Sequence, residues 1–154
     1  MTNFFFSVFS TALLLLCGCS SDHHSSDHGG HHIHQPLRGG ILMELGKHGS
    51  GYNLEILQNP EDQLEIFILD AHAENYVRIA QPSIELTLTD SKQTISLEAV
   101  ADPATGETVG DSALFRAESN VSSKLPLRGT LRTLKIGSKT YSDQPFEFSG
   151  NPQK

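Results

Sequence analysis

"GYNLEILQNPEDQLEIFILD", residues 51–70, decides the fold class. In its first half Tyr52, Leu54 and Ile56 fall on one face, and Asn53 and Glu55 on the other. "NPED" (59–62) then reads as a turn, with Pro60 at the position whose φ proline presets. Alternation resumes over 63–70, where Leu64, Ile66 and Ile68 point one way. A period of two marks half-buried strands, so the stretch predicts a β-hairpin.

The same period extends outward from the hairpin. "GGILMELG" (39–46) is a short apolar strand ahead of it. "YVRIA" (76–80) predicts a strand stopped by Gln81-Pro82. "SIELTLTD" (83–90) and "QTISLEAV" (93–100) alternate again, and "ADPATGETVG" (101–110) is a loop rich in turn residues. "DSALFRAES" (111–119) places Ala113, Phe115 and Ala117 on one face. "RGTLRTLKIGSKTYS" (128–142) predicts a strand, a turn at Gly137-Ser138 and a return strand, and "QPFEFSG" (144–150) closes the pattern with Phe146 and Phe148. Eight or nine short strands and no long helical pattern predict an all-β fold: one antiparallel β-sandwich of the immunoglobulin-like kind over residues 37–150. The chain has no tryptophan, and its two cysteines, Cys17 and Cys19, precede this region. The domain therefore has no internal disulfide or thiolate metal site.

Residues 1–18 form a separate unit. An apolar run from Phe4 to Leu16 is interrupted only by Ser7, Ser10 and Thr11, and no Lys, Arg, Asp or Glu precedes Asp22. That length suits the apolar region of a signal peptide and is short for a spanning helix, which needs about 20 residues. The run ends in Leu16-Cys17-Gly18-Cys19. This resembles the bacterial lipoprotein signal, with a leucine three positions before the lipid-carrying cysteine and a small residue just before it. The resemblance implies cleavage before Cys19 and lipidation of Cys19, which then anchors the chain in a membrane through several acyl chains. Ser20 follows the cysteine, which by the same resemblance implies the outer membrane, facing the periplasm.

"SSDHHSSDHGGHHIH" (20–34) lies next and holds six of the eight histidines: His23, His24, His28, His31, His32 and His34. Residues 19–36 are almost wholly Ser, Asp, His and Gly, too polar to offset chain entropy, and predict a disordered tether. Neutral imidazole is a good ligand for Zn and Cu ions, and closely spaced histidines offer many ligand combinations. Such a site is labile and weakly selective, and proton competition removes the ion below about pH 6. The alternative is a solvated tether with no metal role.

Within the domain, "LDAHAE" (69–74) is the most distinctive stretch. Extended, it sets Asp70, His72 and Glu74 on one face, where Asp70 and His72 are metal-ligand candidates together with His48 from the 46–51 turn. The plainer reading makes the stretch a turn with Asp70 capping backbone amides. Other fragments fail on inspection. "IGSKT" (136–140) lacks the upstream glycine of a phosphate-binding loop, "HAE" (72–74) has no accompanying P-C-x-x-C, and "HGSG" (48–51) is not a nucleophile elbow. The chain therefore reads as a non-enzyme. A formal charge of -7 argues against nucleic-acid partners.

The order "RGGILMELG", "YNLEILQ", "QLEIFILDAHAE", "VRIAQPSIELTLT" resembles a group of small His-rich bacterial envelope lipoproteins. More loosely, it is similar to the N-terminal β-domain of periplasmic adaptor subunits of heavy-metal efflux pumps. Arg38 stands where those relatives carry a histidine before the paired glycines, here Gly39-Gly40. The resemblance implies a lipoprotein that binds or buffers Zn- or Cu-like ions and works beside a metal-efflux complex. The competing expectation is an interaction module that meets another envelope protein through a sheet edge.

Overall fold

The computed structural model describes residues 33–120 and 125–152. The signal peptide, Cys19 and the histidines at 23, 24, 28, 31 and 32 lie outside the described residues; His34 lies within them. The described chain is all-β, with eight strands: β1 (Ile41–Leu45), β2 (Tyr52–Gln58), β3 (Gln63–Leu69), β4 (Ser83–Leu88), β5 (Thr94–Ala99), β6 (Leu114–Asn120), β7 (Leu127–Ile136) and β8 (Lys139–Phe148). No helix among the described residues is long and apolar enough to cross a membrane.

Every ladder is antiparallel, and the strands form one sheet in the order β1-β2-β3-β6-β5-β4-β7-β8. This differs from the expected two-sheet, immunoglobulin-like sandwich. Hydrogen bonding passes without a break through all eight strands, and the sheet curls until its two end strands approach. Tyr141 of β8 stands edge-on to Tyr52, with ring centroids 6.4 Å apart, and Lys139 Nζ donates to the Ser50 carbonyl at 2.6 Å. A barrel and a sandwich both have one inner and one outer face, so a period of two cannot separate them.

The inner face is the core. Leu54 and Ile56 from β2, Leu64, Ile66 and Ile68 from β3, Leu86 from β4, Leu97 from β5, Phe115 from β6, Leu131 from β7 and Phe148 from β8 are all fully buried. Branched aliphatic side chains interdigitate here because each strand presents them every second residue. The predicted strand over 76–80 is not regular. It carries isolated bridges, Leu69 to Tyr76 and Ile79 to Ser112, and crosses the sheet as an irregular segment before Pro82. The two predicted pieces around 139–150 merge into the single strand β8, which keeps Pro145 opposite Thr130. An end strand tolerates a residue without an N–H because only one of its sides is paired.

The outer face of β2 and β3 is also covered. Asn53, Glu55, Glu65, Phe67 and Leu69 are buried there. The segment before β1 lies over this face, because the Glu55 carboxylate accepts from the amides of Leu37 at 3.1 Å, Arg38 at 2.7 Å and Gly40 at 2.9 Å. The β3–β4 connection adjoins it, with Asn53 Nδ2 donating to the carbonyls of Asp70 and Ala71. A cross-link of another kind follows β8, where the Asn151 side chain pairs with both the N–H and the C=O of Gln58 at 2.8 Å each. It imitates a ladder partner at the end of β2.

Candidate metal-binding cluster

Three separate pieces of chain bring histidines together. His34 comes from the segment that Glu55 holds against the sheet. His48 sits in the β1–β2 turn, whose geometry is set by Gly46 and Gly49 at φ +83° and +73° and by the Gly51 amide donating to the Lys47 carbonyl at 2.9 Å. His72 sits in the β3–β4 connection. The His34 and His48 rings stack at 4.9 Å between centroids with 13° between planes. His72 meets His34 edge-on at 5.8 Å.

Glu44, on β1, completes the cluster. Its Oε1 lies 2.7 Å from His48 Nδ1, a contact that orients the ring. One donor atom each from His34, Glu44 and His48 fall within 4.8 Å of one another. Ligands about 2.0–2.1 Å from a zinc ion stand about 3.3 Å apart in a tetrahedron. The three donors would therefore close by up to about 1.5 Å around an ion, a rotamer-scale movement for the exposed Glu44 and His48 side chains. Two imidazoles and a carboxylate suit Zn(II), Cu(II) and Ni(II).

Two buried side-chain polar atoms among the described residues have no hydrogen-bond partner: His34 Nδ1 and Asn53 Oδ1. His34 belongs to the cluster, and Asn53 is the ladder partner of Glu44. The Asn53 side chain is otherwise engaged with the Asp70 and Ala71 carbonyls, so of the two atoms only His34 Nδ1 belongs to a residue of the cluster.

Asp70 is not drawn into the cluster by any observed contact. Its Oδ1 accepts from the amides of His72 at 3.2 Å and Glu74 at 2.9 Å, and its Oδ2 accepts from Asn75 Nδ2 at 2.7 Å. Partial burial pushes its pKa up, but the bonds from the Asn75 side chain and the Glu74, Asn75 and His72 amides outweigh this and hold it below the usual 3.8. A carboxyl with a folded pKa below its unfolded one stabilises fully above the unfolded value, and that contribution is lost as pH falls through the folded value. Asp70→Asn is therefore expected to flatten the acid limb of stability below about pH 4 while changing stability at pH 7 only modestly, measured by urea midpoints between pH 2.5 and 7. An unchanged acid limb in the variant would show that Asp70 does not titrate with folding.

The structure thus joins His34 and His48, places His72 beside them and gives Asp70 to its own turn. Glu44 was not among the residues singled out in the sequence. Read as the outward residue of "ILMEL", it looks like an ordinary exposed strand position. The available signal was its place four residues before His48 across a glycine turn. No protein-family model, curated protein or solved structure matches the chain.

Proposed function

We propose that the chain is a membrane-anchored bacterial envelope lipoprotein that binds or buffers a Zn- or Cu-like ion and works beside a metal-efflux system. Support for the anchor is the apolar run ending in Leu16-Cys17-Gly18-Cys19. Support for the metal role is one observation above the rest: the last histidine of the His-rich stretch, His34, stacks on His48 beside Glu44. The histidines upstream collect ions, and the cluster on the domain holds one more firmly because its ligands are fixed by the fold. His72, edge-on to His34, supplies the fourth ligand.

Calorimetry with the full chain at pH 7.4 tests this reading. Zn(II) or Cu(II) is expected to bind one tighter site and several weaker ones. His48→Ala and His34→Ala should each weaken the tighter site by about tenfold or more and leave the weaker sites intact, and acidification to about pH 5.5 should weaken all of them. If both variants bind as the unaltered chain does, the domain cluster holds no ion. If no metal binds at all, the histidines are tether and the interaction-module reading takes over.

A further inference from the structure

A second site lies apart from the histidines. On the outer face, Phe67, Tyr76, Val100, Ala113 and Leu114 line a cleft of about 630 Å³, within the range of small-molecule sites. Its wall carries Arg38. The guanidinium stacks over Phe67 at 4.5 Å from the ring centroid and lies 5.8 Å from that of Tyr76, and its Nε donates to Tyr76 Oη at 3.0 Å. Arg38 is itself exposed, and the ring stacking and the Nε bond orient its fork, which lowers the side-chain entropy lost on binding.

The other charged groups of the cleft are engaged. Arg78 bonds Asp111 and the Thr105 carbonyl, and Arg116 bonds Glu65. Glu107 accepts from the Ala113 amide and the Thr105 hydroxyl, and Asp102 accepts from the Ala104 amide. The two terminal nitrogens of Arg38, by contrast, have no hydrogen-bond or ion-pair partner among the described residues. An oriented guanidinium with an open fork matches a carboxylate bidentately. The acids Asp102 and Glu107 also line the cleft, and they oppose a doubly charged phosphate.

We propose that this cleft binds an amphipathic monocarboxylate, with the carboxylate on the Arg38 fork and a flat or acyl apolar body over Leu114, Val100 and Ala113. The reading is independent of the metal cluster, and the test is run in the presence of a chelator. The probe is 1-naphthaleneacetate, added to the isotope-labelled full chain and followed by amide chemical shifts. Saturable shifts are expected at Arg38, Phe67 and Leu114. Arg38→Met keeps the cover over Phe67 and should weaken binding by about tenfold or more. Arg38→Lys, which keeps the charge and loses the fork, should fall between. The neutral analogue 1-naphthaleneethanol should bind at least about tenfold more weakly than the carboxylate and be insensitive to Arg38→Met. Absence of saturable shifts, shifts mapping elsewhere, or equal affinity in a folded Arg38→Met chain would each overturn the proposal.

Discussion

Glu55→Ala is expected to destabilise the β-domain by about 3–5 kcal/mol, the largest loss from any single polar substitution here. The carboxylate is fully buried on the outer face of β2 and accepts three backbone amides, from Leu37, Arg38 and Gly40. A hydrogen bond to a charged group contributes about 1.5–3 kcal/mol, and two of the three donors are only part-buried, which lowers their share. Alanine leaves the buried Gly40 amide without a partner, gives the part-buried Leu37 and Arg38 amides to water and opens a cavity beneath the segment. Gly40 cannot shift inward to recover its bond, because its backbone is packed so closely on β2 that a Cβ there would stand 2.6 Å from the Ile56 carbonyl oxygen. Urea denaturation should show the midpoint falling by about 2 M at an unchanged slope. Amide exchange at Leu37, Arg38 and Gly40 should accelerate more than exchange in β4 or β7. Glu55→Gln keeps the shape but turns an NH2 toward an amide donor, and should lose about half as much. Because His34 belongs to the same segment, metal binding at the proposed cluster should weaken along with it. A midpoint shift below about 0.5 M for Glu55→Ala would mean that the segment is held by something other than this carboxylate.

The weight carried by Glu55 was not legible in the sequence, and the reason is physical. In "YNLEILQ" a polar residue between two apolar ones reads as the solvent side of a strand, and alternation says nothing about what later covers that side. The hairpin itself was legible nearly to the residue: the predicted strands at 51–58 and 63–70 are β2 at Tyr52–Gln58 and β3 at Gln63–Leu69. So were the core positions Leu54, Ile56, Leu64, Ile66, Phe115 and Phe148, because burial on the inner face imposes the period directly. Strand order was not legible. β4 and β5 form a local hairpin, but β3 pairs with β6 and β4 also pairs with β7, choices made by contacts distant in the chain that leave no local mark. The "YVRIA" prediction failed because Ile79 is buried and pairs only with Ser112, so an apolar residue serves a crossing segment as well as a strand. In the cluster, His48 and His72 stood out as rare histidines, whereas Glu44 had the look of any exposed strand glutamate. Asp70 was readable both as ligand and as cap, and its carboxylate is seen bonding its own turn.

Gly51→Ala is expected to cost about 3 kcal/mol, more than its conservative appearance suggests. Gly51 is buried at the end of the turn that joins β1 to β2, and a Cβ there would lie 1.9 Å from the Leu45 carbonyl oxygen and 3.0 Å from its carbon. Both are backbone atoms at the last rung of the ladder, where Leu45 pairs with Tyr52. No rotamer relieves such a clash, so the rung must open. The turn that the rung closes carries His48, and β1 carries Glu44. One methyl group should therefore lower stability and weaken metal binding at the proposed cluster together. Gly49→Ala separates the two ways a turn glycine can matter. Gly49 has open space around its Cβ direction but a φ of +73°, so alanine there suffers only the left-handed backbone penalty of about 1–2 kcal/mol. Urea midpoints and Zn(II) titrations of the two variants should rank Gly51→Ala below Gly49→Ala in both stability and affinity. The reverse ranking would show that backbone conformation at the turn tip, rather than the close approach of β1 and β2, holds His48 against His34.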